Sequence, residues 1–136
     1  MAVNVIWDDA GKTILRYDFV GNWTWDEFFV AAAEFHAQLE SVEHKVDTVI
    51  NLLESAGIPG NTLSHVYSAL QRQHPNDSGL NVIVSKAMII QTLLNVFKRA
   101  YNSLPMQVEL QLVSTLEEAR VKCAEYRARK GIREDS

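Results

Sequence analysis

Four histidines, a single cysteine and a few aspartates are the side chains of this 136-residue chain best suited to carry chemistry. Metal binding on a helix needs two ligands three or four residues apart, so that both project from one face. His36, His44, His65 and His74 never meet that spacing, and no metal site is expected. His36 falls on the flank of a helical stretch and His65 directly before Val66, which are ordinary, partly exposed positions. Cys123 sits among good helix formers, where a lone thiol packs as a small hydrophobe and can form no internal disulfide. Asp8, Asp9 and Asp18 could in principle pair as acid and base. Asp8 and Asp9, however, begin the stretch Asp8-Asp9-Ala10-Gly11-Lys12, whose composition is that of a turn. Gly57 and Gly60 fall short of a dinucleotide or phosphate-loop pattern. The expectation is therefore a non-catalytic protein, with no catalytic residue, no metal and no cofactor.

The elements that would hold these groups follow from periodicity. Val3 to Trp7 and Thr13 to Val20 read as two strands joined by the Asp/Gly turn, and Leu15, Tyr17 and Phe19 alternate onto one core face. Thr24 and Glu27 have the spacing of a capping box, with Trp23 and Phe28 placed as a hydrophobic staple. The helix that follows carries Phe28, Ala32, Phe35 and Leu39 inward and ends near Leu39. Val46 to Leu53 is a β-branched apolar run, as in a central strand buried on both faces. A Gly/Pro loop over 55–60 leads to a helix from Asn61 or Thr62, with Leu63, Val66, Tyr67 and Leu70 inward, which ends before Pro75. Leu80 to Val84 is another buried strand, Ser85 is placed to cap a third helix reaching about Ser103, and Val108 to Val113 is the last strand. Thr115 and Glu118 repeat the capping-box spacing ahead of a fourth helix. The order ββαβαβαβα predicts an α/β single domain, a mostly parallel sheet with helices packed against it.

The third helix is wider in apolar residues than one core contact requires. Ile90, Leu93, Leu94, Phe97 and Tyr101 form a stripe, and Met88, Ile89, Val96 and Leu104 extend it. The first expectation is a non-catalytic interaction or regulatory domain, self-associating or binding a protein through the helix at 86–103 and the loop at 55–62, and the alternative is a small carrier or sensor of an apolar ligand. In one, Met88, Ile89, Val96 and Phe97 meet a protein partner or a second copy of the chain. In the other, they line a groove for an apolar ligand, with Lys98 and Arg99 at its edge to receive an anionic head group.

The opening hairpin, the Trp23-Thr24-Trp25-Asp26 helix start, and Val49-Ile50-Asn51-Leu52 followed by a loop and helix resemble the STAS superfamily. The resemblance spans about residues 2–126, on element order and short stretches, and is nearest to bacterial STAS-like proteins related to anti-sigma-factor antagonists. That branch is also compared with the CRAL-TRIO lipid-exchange domains. It implies a STAS-like domain over 1–130, with a polar tail over 131–136. It also implies a phosphorylated serine, often preceded by Asp, at the start of the second helix. No Asp-Ser pair stands there in this chain; Thr62 and Ser64 are the phospho-acceptor candidates the resemblance leaves. A phosphate at either would meet the unpaired amides of the helix start.

Composition bounds the partners. The formal net charge is -4, which opposes bulk attraction to nucleic acid or anionic membrane. Charge is uneven, however: residues 1–60 hold ten acidic and three basic side chains, and residues 61–136 hold seven and ten. Arg120, Lys122, Arg127, Arg129, Lys130 and Arg133 read as the solvated face and tail of the last helix. No apolar run approaches the roughly 20 residues of a spanning helix, and no secretory leader is visible, so a cytoplasmic protein is expected.

Overall fold

Asp9 closes the first turn. Its Oδ1 accepts the amides of Thr13 at 2.9 Å and Ile14 at 3.0 Å, its Oδ2 accepts the Thr13 hydroxyl, and Lys12 takes a left-handed φ of 57°. The turn joins β1 (Val3–Trp7) to β2 (Ile14–Gly21), which pair antiparallel from Val3 opposite Phe19 to Trp7 opposite Leu15. The computed structural model describes residues 2–70, 74–100 and 108–131. Beyond the hairpin it contains α1 (Trp25–Glu40), β3 (Val46–Ser55), α2 (Thr62–Leu70), β4 (Asp77–Val84), α3 (Met88–Ala100), β5 (Glu109–Val113) and α4 (Leu116–Lys130). The expected inward Tyr101, the apolar Leu104 and residues 132–136 of the polar tail lie outside the described residues.

The sheet runs β1-β2-β3-β4-β5, with β2 to β5 parallel. The fold is thus α/β, a five-strand mostly parallel sheet with four helices. Each crossover from β2 to β5 steps in the same direction, so right-handed connections put α1, α2 and α3 on one face. The last helix covers the other face: Ala119, Cys123 and Tyr126 of α4 pack with Ile14, Val49, Leu80, Val82 and Val113. The sequence suggested one core face for β2, but both are used there: Leu15, Tyr17 and Phe19 face α1, while Ile14, 7% exposed, faces α4.

A capping box opens α1, and a one-sided N-cap opens α4, where only the threonine side chain bonds to the helix backbone. Thr24 Oγ1 accepts the Glu27 amide at 3.1 Å, and Glu27 Oε1 accepts the Thr24 amide at 3.0 Å. Thr115 Oγ1 accepts the Glu118 amide at 3.0 Å, and α4 ends on Gly131 at φ 70°, the left-handed conformation that favours glycine. In α1 the inward residues are Ala31, Phe35 and Leu39, so the buried stripe passes through Ala31 rather than Ala32. The third helix starts at Met88 rather than directly after Ser85, because Ser85 Oγ accepts the Ala87 amide at 3.1 Å in a short turn before it.

The basic face expected of α4 is not simply solvated. Arg127 is buried: its Nε donates to Asp47 Oδ2 at 2.9 Å, and its Nη2 donates to the carbonyls of Thr13 at 3.0 Å and Lys45 at 2.8 Å. Arg120 grips both oxygens of Asp8, at 2.8 and 2.9 Å, and Arg129 pairs with Glu109 at 2.9 Å. Three arginines thus tie α4 to the hairpin turn, to the chain entering β2 and β3, and to β5.

Candidate functional site

Space remains on both faces of the sheet: beside α4 a polar cleft of about 250 Å³ is bordered by Asp8, Asp9, Arg120 and Arg127, and the opposite face holds an apolar one. Alternation along each strand sends Tyr17 and Phe19 of β2, Thr48, Ile50 and Leu52 of β3, and Asn81 and Ile83 of β4 toward α1, α2 and α3. Between that floor and the helices lies a cavity of about 190 Å³. Its roof is Val66 and Ala69 of α2 with Ile90, Leu93, Leu94 and Phe97 of α3, and its side wall is Trp25, Phe28, Phe35 and His36 of α1. Large rings hold this layer off the sheet: Tyr17 stacks on Phe35 with centroids 4.6 Å apart, and Phe19 meets Trp23 at 4.6 Å.

The two ends of the cavity differ. At the carboxyl ends of the strands the wall is aromatic and tied to the loop that precedes α2. Trp23 Nε1 donates to Ser55 Oγ at 2.9 Å, Trp25 Nε1 donates to the Gly60 carbonyl at 2.6 Å, and His65 stacks on Trp25 at 4.8 Å. Ile58 and Thr62 complete this end, and Asn61 between them takes a left-handed φ of 62°. Parallel α/β sheets commonly bind ligands beyond the carboxyl ends of their strands.

At the amino ends the wall turns polar. Thr48 and Asn81 lie side by side on neighbouring strands, 4% and 7% exposed, and His36 and Asp77 share the wall with them. Asp77 Oδ1 accepts the Gly79 amide at 2.8 Å, and Asn81 donates to the Gly79 carbonyl at 3.3 Å. Among the described residues, neither the Thr48 hydroxyl nor the second oxygen of Asp77 makes a hydrogen bond. Burial pushes the Asp77 carboxyl above its ordinary range; the Gly79 amide opposes this, Asp47 reinforces it, and His36 and Lys45 pull weakly downward. Burial, with Asp77 nearby, also raises the Tyr17 phenol.

The residues singled out in the sequence are divided by the helix geometry. Phe97 is 4% exposed and lines the cavity, whereas Met88, Ile89 and Val96 are 86%, 58% and 40% exposed on the outer face of α3. Lys98 and Arg99 are exposed as well. Thr62 lies on the cavity wall with its hydroxyl donating to the Pro59 carbonyl at 2.9 Å, and Ser64 is exposed, donating to the Asn61 carbonyl at 3.2 Å. Sequence reasoning passed over Thr48, Asp77 and Asn81. Their signal was a polar residue interrupting each apolar strand run, as in Val46-Asp47-Thr48-Val49 and Leu80-Asn81-Val82.

The remaining ionisable groups bear on packing. Cys123 is buried under α4, and burial pushes its thiol far above the usual range, which removes it as a nucleophile near neutral pH. Among the described residues no cluster of three His, Cys, Asp or Glu could hold a metal ion, and no helix is long and apolar enough to cross a membrane. No family model, curated protein or solved structure matches the chain.

Proposed function

We propose that this domain is a non-catalytic carrier or sensor that takes an apolar ligand between its sheet and α1 to α3. The observation that carries the reading is the cavity itself: a space of about 190 Å³ walled by aromatic and aliphatic side chains, with polar groups gathered at one end. A close-packed interior would fill such a volume, since voids forfeit dispersion contacts and cost stability. Pockets for small molecules combine an apolar wall with a few placed polar groups. STAS-like membership, with its kinship to lipid-exchange domains, fits this reading and is supported by the opening hairpin, whose second strand begins a run of four parallel strands. Native mass spectrometry of freshly purified protein tests the proposal. Adducts of a few hundred daltons that are displaced by an apolar dye are expected; a bare chain that also fails to bind the dye would defeat it.

A second reading rests on a different surface. Met88, Ile89, Thr92 and Val96 lie at helical spacing on the side of α3 turned away from the cavity, and the three apolar residues among them are exposed. A protein partner, or a second copy of the chain, would cover this face. Light scattering coupled to size-exclusion chromatography decides the self-association version: a dimer in wild type and a monomer in Ile89→Asp are expected, and a monomeric wild type overturns it.

A further inference from the structure

We infer that the polar end of the cavity recognises a hydrogen-bond-donating, amine-type head group, so that the ligand is an amphipathic amine and not a fatty acid or phospholipid. The inference rests on the ligand-binding reading above and assigns the head-group chemistry that reading leaves open.

Three features of the amino-terminal end carry it. Thr48 and Asn81 are adjacent on β3 and β4, in the middle of the sheet, at positions where the neighbouring rows are Tyr17, Ile50 and Ile83. These two polar side chains interrupt an apolar floor and border the cavity rather than a sealed core, since among the described residues the buried side-chain polar atom without a partner is Arg127 Nη1. The Thr48 hydroxyl, 4% exposed as a residue, has no partner among the described residues and opens on the cavity. Asp77 stands at the first position of β4 and shares that wall, with one carboxylate oxygen held by the Gly79 amide and the other free of any hydrogen bond among the described residues.

The acceptors that remain are therefore a carboxylate oxygen of Asp77, the amide carbonyl of Asn81 and the Thr48 oxygen. An ammonium, with three donors and a positive charge, satisfies such a set, and its bond to a carboxylate is of the stronger, charge-assisted kind. A carboxylate or phosphate head could accept from Thr48, Asn81 or His36, but it would set its negative charge against Asp77, the acidic side chain on this wall. The cations once expected to receive an anionic head, Lys98 and Arg99, are exposed at the far end of α3.

The length of the apolar body follows from the strands. Thr48 and Leu52 both line the cavity and are four residues apart on β3, a span of about 13 Å at the rise of a strand. A linear chain of roughly ten carbons reaches from the polar end to the ring of Trp23, Trp25 and Ile58.

Decylamine, decanol and decanoate, titrated into the full chain at pH 7 by calorimetry, test the inference without any mutation. Decylamine is expected to bind at least about tenfold more tightly than decanoate, with decanol between them. Asp77→Asn, which keeps an oxygen for the Gly79 amide, is expected to weaken decylamine by about tenfold and to leave decanol within about threefold. Decanoate binding as tightly as decylamine in wild type overturns the head-group assignment while leaving the cavity reading intact. A preference for the amine that survives in Asp77→Asn overturns the role of Asp77. If none of the three binds, the cavity reading and this inference fall together.

Discussion

The two faces of the sheet are built from the same strands and differ in what lines the space they leave: charged groups in a cleft beside α4, apolar ones under α1 to α3. Under α4 the contacts are small and close: Ala119 and Cys123 let the helix approach, and Arg127, Arg120 and Tyr126 bond across to the strands. Under α1 to α3, rings and branched side chains keep the helices at a distance and leave a cavity. The residues at stake are neighbours in sequence. Asp47 faces Arg127 and Thr48 faces the cavity; Leu80 and Val82 lie under α4, and Asn81 between them faces the other way. The strand period of two thus lets one stretch of chain serve stability on one side and recognition on the other.

The sharpest way to break this contrast is at Arg127. Replacing it with Met removes the partner of Asp47, 0% exposed, and should cost about 3–5 kcal/mol in urea unfolding. A loss under about 1 kcal/mol would mean that α4 is not the stabilising face. A matched pair of truncations comes next. Leu80→Ala on the α4 side should cost about 4 kcal/mol, and Leu94→Ala on the cavity side nearer about 2, since a side chain that already borders empty space has fewer contacts to lose. Equal losses would show the two faces to be packed alike.

Smaller effects test the polar end. Thr48→Val should leave the stability of the unliganded protein within about 1 kcal/mol, because the hydroxyl it removes borders the cavity and makes no hydrogen bond among the described residues. Ligand affinity should fall in the same variant, and a Thr48→Val destabilised by more than that would argue that the hydroxyl is already satisfied. The pH dependence gives the finest distinction. Asp77 has its carboxyl raised in the fold, so its contribution favours the folded state below the ordinary carboxylate pKa and is lost as pH rises through its folded value. Asp8, lowered chiefly by the hydrogen bond from Arg120, works in reverse: its contribution is present above the ordinary pKa and is lost as pH falls through the folded one. Thermal midpoints across the acid range should therefore lose a falling component in Asp77→Asn and a rising one in Asp8→Asn.

Local chemistry in the sequence located the elements well. Thr24 with Glu27 and Thr115 with Glu118 marked two helix starts that the structure places within a residue, because a helix cap involves only neighbours. The hairpin turn was legible for the same reason, through Asp9. What escaped depends on distant pairs. Asp47 and Arg127 are 80 residues apart, so a buried clamp looked like one charge of a solvated helix face. Thr48 meets Asn81 only through the register of β3 on β4, and each alone passed for a minor irregularity in an apolar run. On α3 helical spacing separated the stripe Ile90, Leu93, Leu94 and Phe97, which lines the cavity, from Met88, Ile89 and Val96, which are exposed, but it left open which set meets a partner and which a ligand. Lys98 and Arg99 follow from that spacing: with Phe97 inward, the next two positions swing outward.

The three indoles have an optical consequence. Trp23 and Trp25 border the cavity and are bonded to Ser55 and Gly60 on either side of the loop before α2, while Trp7 is bonded to Gln38 on α1. Two of the three intrinsic fluorophores therefore sit beside the space a ligand would enter, and one stands apart as an internal reference. A label-free spectrometer can then follow occupancy in the unmodified chain: a shift in emission that persists in Trp7→Phe and vanishes only when Trp23 and Trp25 are both replaced by Phe traces the signal to the loop end of the cavity.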